Sequence, residues 1–189
     1  MVNNQSKKVI LLLGGSRSGK SSYAEVLAKK SADKVLFVAT AEAGDEDMRL
    51  RIQKHQQARP ANWRTLEATA HLGNRIEDEL EDEKIVIIDC ITLLVSNIFC
   101  RYDAPQFDNI PDSDLEKQVL DEIKELQRCL KKVDASFIIV SNEVGLGLVP
   151  DNRMGRLYRD FLGSANQMLA QSADEVYFMV AGIPLRVKP

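Results

Sequence analysis

The chain has 189 residues, of which 44% are hydrophobic and 28% charged, and its formal net charge is −3. That balance is too apolar for a disordered chain and suits one domain of ordinary size with a real core. A pI near 5.5 argues against a general nucleic-acid binder, which needs a basic face, but leaves room for a small positive pocket.

Cys90, Cys100 and Cys129 lack paired metal-ligand spacing, which argues against a zinc site or disulfide framework and favours a reducing cytoplasm. No stretch approaches the ~18 apolar residues of a membrane span. The apolar run after Lys7 and Lys8 is too short for a signal peptide.

That run, VILLL (9–13), is the first predicted element: a strand apolar on both sides, as in a buried parallel sheet. GGSRSGKS (14–21) follows and opens the helical pattern SSYAEVLAKK. VLFVA (35–39) is a second strand, and the acidic EAGDED (42–47) reads as a helix N-terminus. If 47–58 is helical, Arg51 and His55 share one face and Pro60 ends it after Arg59. Trp63 reads as a packing anchor, and His71 as a surface residue before a polar helix. IVIID (85–89) is a strand ending on Asp89.

Residues 101–112, with Pro105 and Pro111, look like a solvent-facing loop. The three- and four-residue apolar steps of 113–133 predict an amphipathic helix, with Ser113 and Glu116 as a capping box. FIIV (137–140) is a strand that exits through Ser141, Asn142 and Glu143. A second amphipathic helix covers 152–172, its beginning marked by Pro150 and Asp151. Arg153 and Arg156 at its start face either substrate or a neighbouring subunit. The last stretch, with VYFMVA (176–181), has two extended runs around Gly182 and predicts a hairpin at a sheet edge.

Strands alternating with helices imply right-handed crossovers and a three-layer α/β domain. Without repeats or linkers, residues 1–189 read as one nucleotide-binding catalytic domain. GGSRSGKS fits G-x-x-x-x-G-K-[ST] between a strand and a helix, the context of a P-loop. Its glycines let backbone N–H groups turn towards phosphate oxygens, Lys20 reaches the β/γ-phosphates, and Ser21 offers a hydroxyl to Mg²⁺. Asp89, at the carboxyl end of its strand, is placed to meet nucleotide or Mg²⁺. The expected fold is a RecA-like P-loop NTPase with a mostly parallel sheet and the C-terminal hairpin at its edge.

Taken together, GGSRSGKS, RIQKHQQARPANWRT (51–65), DCITLLVSN (89–97) and NEVGLGLVPDNR (142–153) narrow the field. In this order they resemble the bifunctional adenosylcobinamide kinase/adenosylcobinamide-phosphate guanylyltransferases of cobalamin biosynthesis. The resemblance runs from about Val9 to Lys188. It implies two reactions: phosphorylation of adenosylcobinamide by ATP or GTP, then GMP transfer from GTP to give adenosylcobinamide-GDP and pyrophosphate. It also implies a guanylyl-histidine intermediate, and the matching residue is His55. Where some members carry two adjacent histidines, this chain has Lys54 and His55.

Carried over residue by residue, the resemblance makes Lys20 catalytic beside His55. Gly14, Gly15, Ser16, Arg17, Ser18, Gly19, Lys20, Ser21 and Ser22 would hold the triphosphate. Thr40, Ala41 and Glu42 would line the nucleotide site, as would Gln56, Gln57, Ala58 and Arg59, and Glu67 and Asp89 would be further contacts. Ser21 and Asp89 would hold Mg²⁺. The family's members are compact oligomers, often trimers, so a homo-oligomer without nucleic-acid partners is expected. Two other readings stay open on the residues alone: a P-loop kinase of another pathway, and a non-catalytic nucleotide-dependent switch.

Overall fold

The computed structural model describes residues 7–41 and 59–188. Its frame is a seven-stranded sheet in the order β3-β2-β4-β5-β1-β6-β7. The strands are β1 (Val9–Gly14), β2 (Val35–Ala39), β3 (Arg64–Glu67), β4 (Ile85–Asp89), β5 (Ser136–Val140), β6 (Glu175–Val180) and β7 (Ile183–Lys188). All neighbours run parallel except β6 and β7.

The continuous apolar runs form central strands because both faces of the sheet are covered. Leu36, Val38, Val86, Ile88, Phe137 and Ile139 enter one core, where α2 (Leu72–Glu79), α3 (Ile91–Phe99), α5 (Asp112–Lys132) and α6 (Arg153–Ser172) pack. Their neighbours Val35, Phe37, Ile85, Ile87, Ile138 and Val140 enter the other, with Ala24 and Ala28 of α1 (Lys20–Ser31). Strict alternation along each strand therefore builds three layers from one repeated pattern. Trp63 is buried in the second core, as a packing anchor would be.

The hairpin at the sheet edge is present. Ala181 (φ 50°) and Gly182 (φ 83°) make its turn, a pair of left-handed residues whose twist matches antiparallel strands. Three expectations need correction. Residues 101–112 are not a plain loop, because α4 (Ala104–Asn109) lies within them. Gln106 N–H donates to Asp103 Oδ1 at 2.8 Å, Asp103 N–H donates back to Gln106 Oε1 at 3.2 Å, and Pro105 fits the first turn. What holds α4 down is Phe107, 2% exposed and 5.6 Å from Phe99 between ring centroids.

Ser113 and Glu116 form no capping box: α5 begins at Asp112 behind Pro111, with no side-chain cap. The acidic first turn, Asp112 and Asp114, supplies the favourable charge instead. The following long helix starts at Arg153, and its cap is Asn152, whose side-chain oxygen accepts Gly155 N–H at 2.7 Å. The third correction is β3, unmarked by an apolar run because only Leu66 of its four residues is buried.

Phe107→Ala should therefore remove the anchor of α4 and the platform for the Arg153 guanidinium, which lies 5.1 Å above its ring. Urea denaturation should show a loss of about 3 kcal/mol, the usual cost of truncating a buried phenylalanine.

Candidate active site

The phosphate loop is set by its glycines. Gly14 has φ 146°, and a Cβ there would meet Met179 O at 2.6 Å. Gly19 has φ 94°, and its Cβ would sit 3.0 Å from Gly182 Cα in the hairpin turn. Both positions demand glycine through backbone conformation and close approach together. The turn supports the loop directly, since Gly182 N–H donates to Ser18 O at 2.9 Å.

Lys20 opens α1 and is 7% exposed. Its Nζ donates to Gly14 O at 2.9 Å, Gly15 O at 2.6 Å and Ser18 Oγ at 3.4 Å. Burial pushes its pKa below the ordinary lysine value, partly offset by Cys90 and Asp89. An anion arriving at the helix N-terminus would relieve that penalty.

A cavity of about 420 Å³ opens at the carboxyl ends of the strands. Ser16 to Ser22 line one side, and Ala41, Arg59, Glu67 and Asp89 line the rest of the predicted wall. Gly14 and Gly15 contribute through the carbonyls that hold Lys20. Arg59 lies with its guanidinium carbon 3.4 Å above the centre of the Phe37 ring, and its Nη1 donates to Thr65 Oγ1 at 3.2 Å. Burial lowers its pKa, while Asp89, Glu25 and Glu67 pull it back up, and an arginine so placed stays charged. Among the described residues its buried Nε has no partner.

Thr40 is placed differently from its neighbours. It is fully buried behind the cavity, and its hydroxyl bridges one residue of the wall. Thr40 Oγ1 donates to Cys90 O and accepts Cys90 N–H, both at 2.7 Å. Its own carbonyl accepts from Asn97 Nδ2 at 2.9 Å. These bonds fix the turn that follows Asp89, whose peptide to Cys90 is cis. Glu42, His55, Gln56, Gln57 and Ala58, with the EAGDED segment, lie outside the described residues.

Residues not expected at the site from sequence complete the wall: Phe37, Ala39, Cys90, Thr92, Leu93 and Val140, with Asn142 of the predicted strand exit. A polar residue just past an apolar strand was the available signal for Asn142. For Thr92 there was none beyond its closeness to Asp89. Burial pushes the Cys90 thiol up to about 11, so it is protonated at neutral pH. Arg153 turns inward to its own chain, donating to Phe107 O at 2.6 Å and Ile110 O at 2.7 Å. Arg156 donates to Asp151 O at 2.7 Å. His71 is exposed, 3.4 Å from Glu125.

With this geometry established, similarity to known proteins decides the family. The sequence model described as "Cobinamide kinase / cobinamide phosphate guanyltransferase" matches residues 10–187. The chain belongs to this family. It is 40% identical to the bifunctional adenosylcobalamin biosynthesis protein CobU of Salmonella typhimurium over 184 residues, 95% of this chain and 99% of that protein. It is 39% identical to the corresponding CobP of Pseudomonas aeruginosa, over 94% of this chain and 96% of that one. Among solved structures, the RadB recombinase is similar with a TM-score of 0.50 at 14% identity, over 90% of this chain and 73% of that one. An ATPase from a type III secretion system of pathogenic bacteria gives 0.52 at 12% identity, over 95% and 56%. These two likenesses concern the fold, which is that of P-loop NTPases. Among the described residues no helix is long and apolar enough to cross a membrane.

Thr40→Val keeps the shape of the side chain but orphans both polar groups of Cys90. Urea denaturation should show a loss of about 2 kcal/mol, in the range for buried groups left unpaired. Equilibrium titration should show weaker GTP binding in the same variant, because the Asp89 wall loses its tie.

Proposed function

We propose that this member of the family phosphorylates the hydroxyl of adenosylcobinamide with ATP or GTP and then guanylylates the product. In the first reaction the terminal phosphoryl group passes to the hydroxyl oxygen, releasing a proton and the nucleoside diphosphate. In the second, His55 attacks the α-phosphorus of GTP, expelling pyrophosphate and taking GMP in a P–N bond. The phosphate of adenosylcobinamide phosphate then displaces His55, giving adenosylcobinamide-GDP. The observation that carries this reading is the family match over residues 10–187, joined to a P-loop cavity lined by two cations, the buried Lys20 and the half-buried Arg59. Neither a kinase of another pathway nor a non-catalytic switch has such support.

His55 is four positions before Arg59. Four residues span at most about 14 Å, so covalent geometry tethers the nucleophile to a residue of the cavity wall. A neutral imidazole is a competent nucleophile at neutral pH, and two displacements replace one difficult transfer. Lys20 and the Arg59 guanidinium are preorganised to receive charge developing on the phosphates.

Ser21 and Asp89 both line the cavity, and a hydroxyl with a carboxylate is the hard-oxygen donor set that suits Mg²⁺ arriving with phosphates. Bound there, Mg²⁺ would supply charge neutralisation for the nucleotide. We read the whole chain as one catalytic domain, since a single sheet takes strands from Val9 to Lys188. A homo-oligomer, with three copies as the first expectation, is favoured by the edge strand β7, where Ile183, Leu185 and Val187 are all exposed. The composition and cysteine usage favour work in the cytoplasm.

Incubation with Mg²⁺ and GTP, followed by intact mass measurement, should reveal one added GMP per chain that acid removes. His55→Ala should show no adduct while still binding GTP, and EDTA should suppress the adduct on the native protein. A native protein that binds GTP and stays unmodified would sink the histidine mechanism.

A further inference from the structure

Helix α3 is apolar over most of its length, and Ile91, Leu94, Val95, Ile98 and Phe99 enter the core. The half-buried Asn97 interrupts that run near the C-terminal end. Its Nδ2 donates to Thr40 O at 2.9 Å and to Thr69 O at 3.2 Å, so both N–H groups are used. The two acceptors belong to a fork. Strands β2 and β3 pair Ala39 with Glu67, and the Ala68 N–H donates to Ala39 O at 3.0 Å. Beyond that bond the two chains part, and Asn97 bridges the opening.

Thr40 is held by every one of its polar groups. Its N–H donates to Asp89 O at 3.2 Å, and its hydroxyl is tied to both the N–H and the carbonyl of Cys90. Those bonds fasten the residue to the exit of β4 without fixing the peptide that follows. The Thr40 carbonyl belongs to that planar peptide, so holding its oxygen sets the direction in which the chain leaves Thr40. Ala41, next in the chain, lines the nucleotide cavity. The same chain reaches His55 and then Arg59, whose guanidinium is seated on Phe37 and bonded to Thr65. The stretch that bears the nucleophile is therefore anchored to β2 and β3 at both ends. At Arg59 the anchor is its own side chain, and at Thr40 it is Asn97.

We propose that Asn97 is a positioning residue for guanylyl transfer: by holding the Thr40–Ala41 peptide it aims the chain that brings His55 to the α-phosphorus. This deepens, and rests on, the histidine mechanism proposed above. Asn97 itself is not part of the cavity wall, so it acts only through Thr40. Displacement at phosphorus is sensitive to placement, and a shift of about 1 Å can cost about a hundredfold. Phosphoryl transfer to a hydroxyl needs no histidine and draws on the phosphate loop and Asp89, which keep their bonds when Asn97 is lost. The two half-reactions therefore respond differently, whereas a carboxamide serving the core alone would affect them alike.

The test compares the two half-reactions of the full chain in the presence of Mg²⁺. Asn97→Ala should slow the appearance of the GMP adduct from GTP about tenfold, read by intact mass after rapid quenching. Its ATP-dependent phosphorylation of adenosylcobinamide should stay within about twofold of native, as should its Kd for uncleavable guanosine 5′-(α,β-methylene)triphosphate. Asn97→Asp, of equal shape, presents a carboxylate to two carbonyl oxygens and should slow the adduct further. Asn97→Gln keeps both donors on a longer arm and should recover part of the rate, and it carries the same comparison if the alanine variant does not fold. Equal losses in both half-reactions, or an unchanged adduct rate, in the folded variants would overturn the proposal alone. Native protein that forms no adduct would overturn it together with the histidine mechanism beneath it.

Discussion

The Lys20 ammonium is buried and held by oxygens of uncharged groups, two carbonyls of its own loop and the Ser18 hydroxyl. A cation in that state costs free energy until an anion arrives, because nearby dipoles replace water only in part. Much of the surrounding structure keeps this arrangement from collapsing. Glycine at 14 lets β6 press against the loop, glycine at 19 lets the hairpin turn do the same, and the bond from Gly182 to Ser18 ties them. The loop is a cradle because residues far along the chain hold its outer side.

Arg59, the second cation, is held by other means. Its guanidinium lies flat on Phe37, itself part of the core between the sheet and α1, so the sheet's own packing forms the arginine's seat. Thr40 does comparable work one strand across, spending its hydroxyl on Cys90 to shape the exit of β4. Three neighbouring positions of β2 and its exit thus divide their labour: Phe37 carries a cation, Ala39 pairs with Asp89 in register, and Thr40 fastens the next residue. The chemistry of the cavity rests on side chains that need never touch a ligand.

Sequence reading went furthest where one pattern had one physical meaning. Strands covered on both faces must be apolar throughout, so the five central and near-central runs stood out. The P-loop is legible because phosphate binding leaves few alternatives to its glycines and lysine. β3 was hidden because an edge strand with one buried residue, Leu66, carries no periodic signal. α4 was hidden because two prolines suggested a loop, although Pro105 sits where a helix accepts it and Phe107 supplies the anchor. Ser113 and Glu116 had the spacing of a capping box, but the chain turned into its helix two residues earlier, with Pro111 at the cap position. In the cavity, Thr40 could be placed near the nucleotide by its position after a strand. That its hydroxyl faces away from the opening depends on where β4 ends, fifty residues later in the chain.

Strand β1 takes its two neighbours from β5 and β6, which begin at Ser136 and Glu175. On the ribosome, then, the segment bearing the lysine is made well before β5 and β6 and remains without its partners until both have emerged. Synthesis proceeds at roughly 5–20 residues per second, so a nascent chain spends about ten to thirty seconds carrying an unfinished phosphate loop. Capture of nucleotide is therefore a late event in the life of each molecule. A chain interrupted before its final hairpin would keep the whole signature motif and still lack the support that makes the motif a binding site.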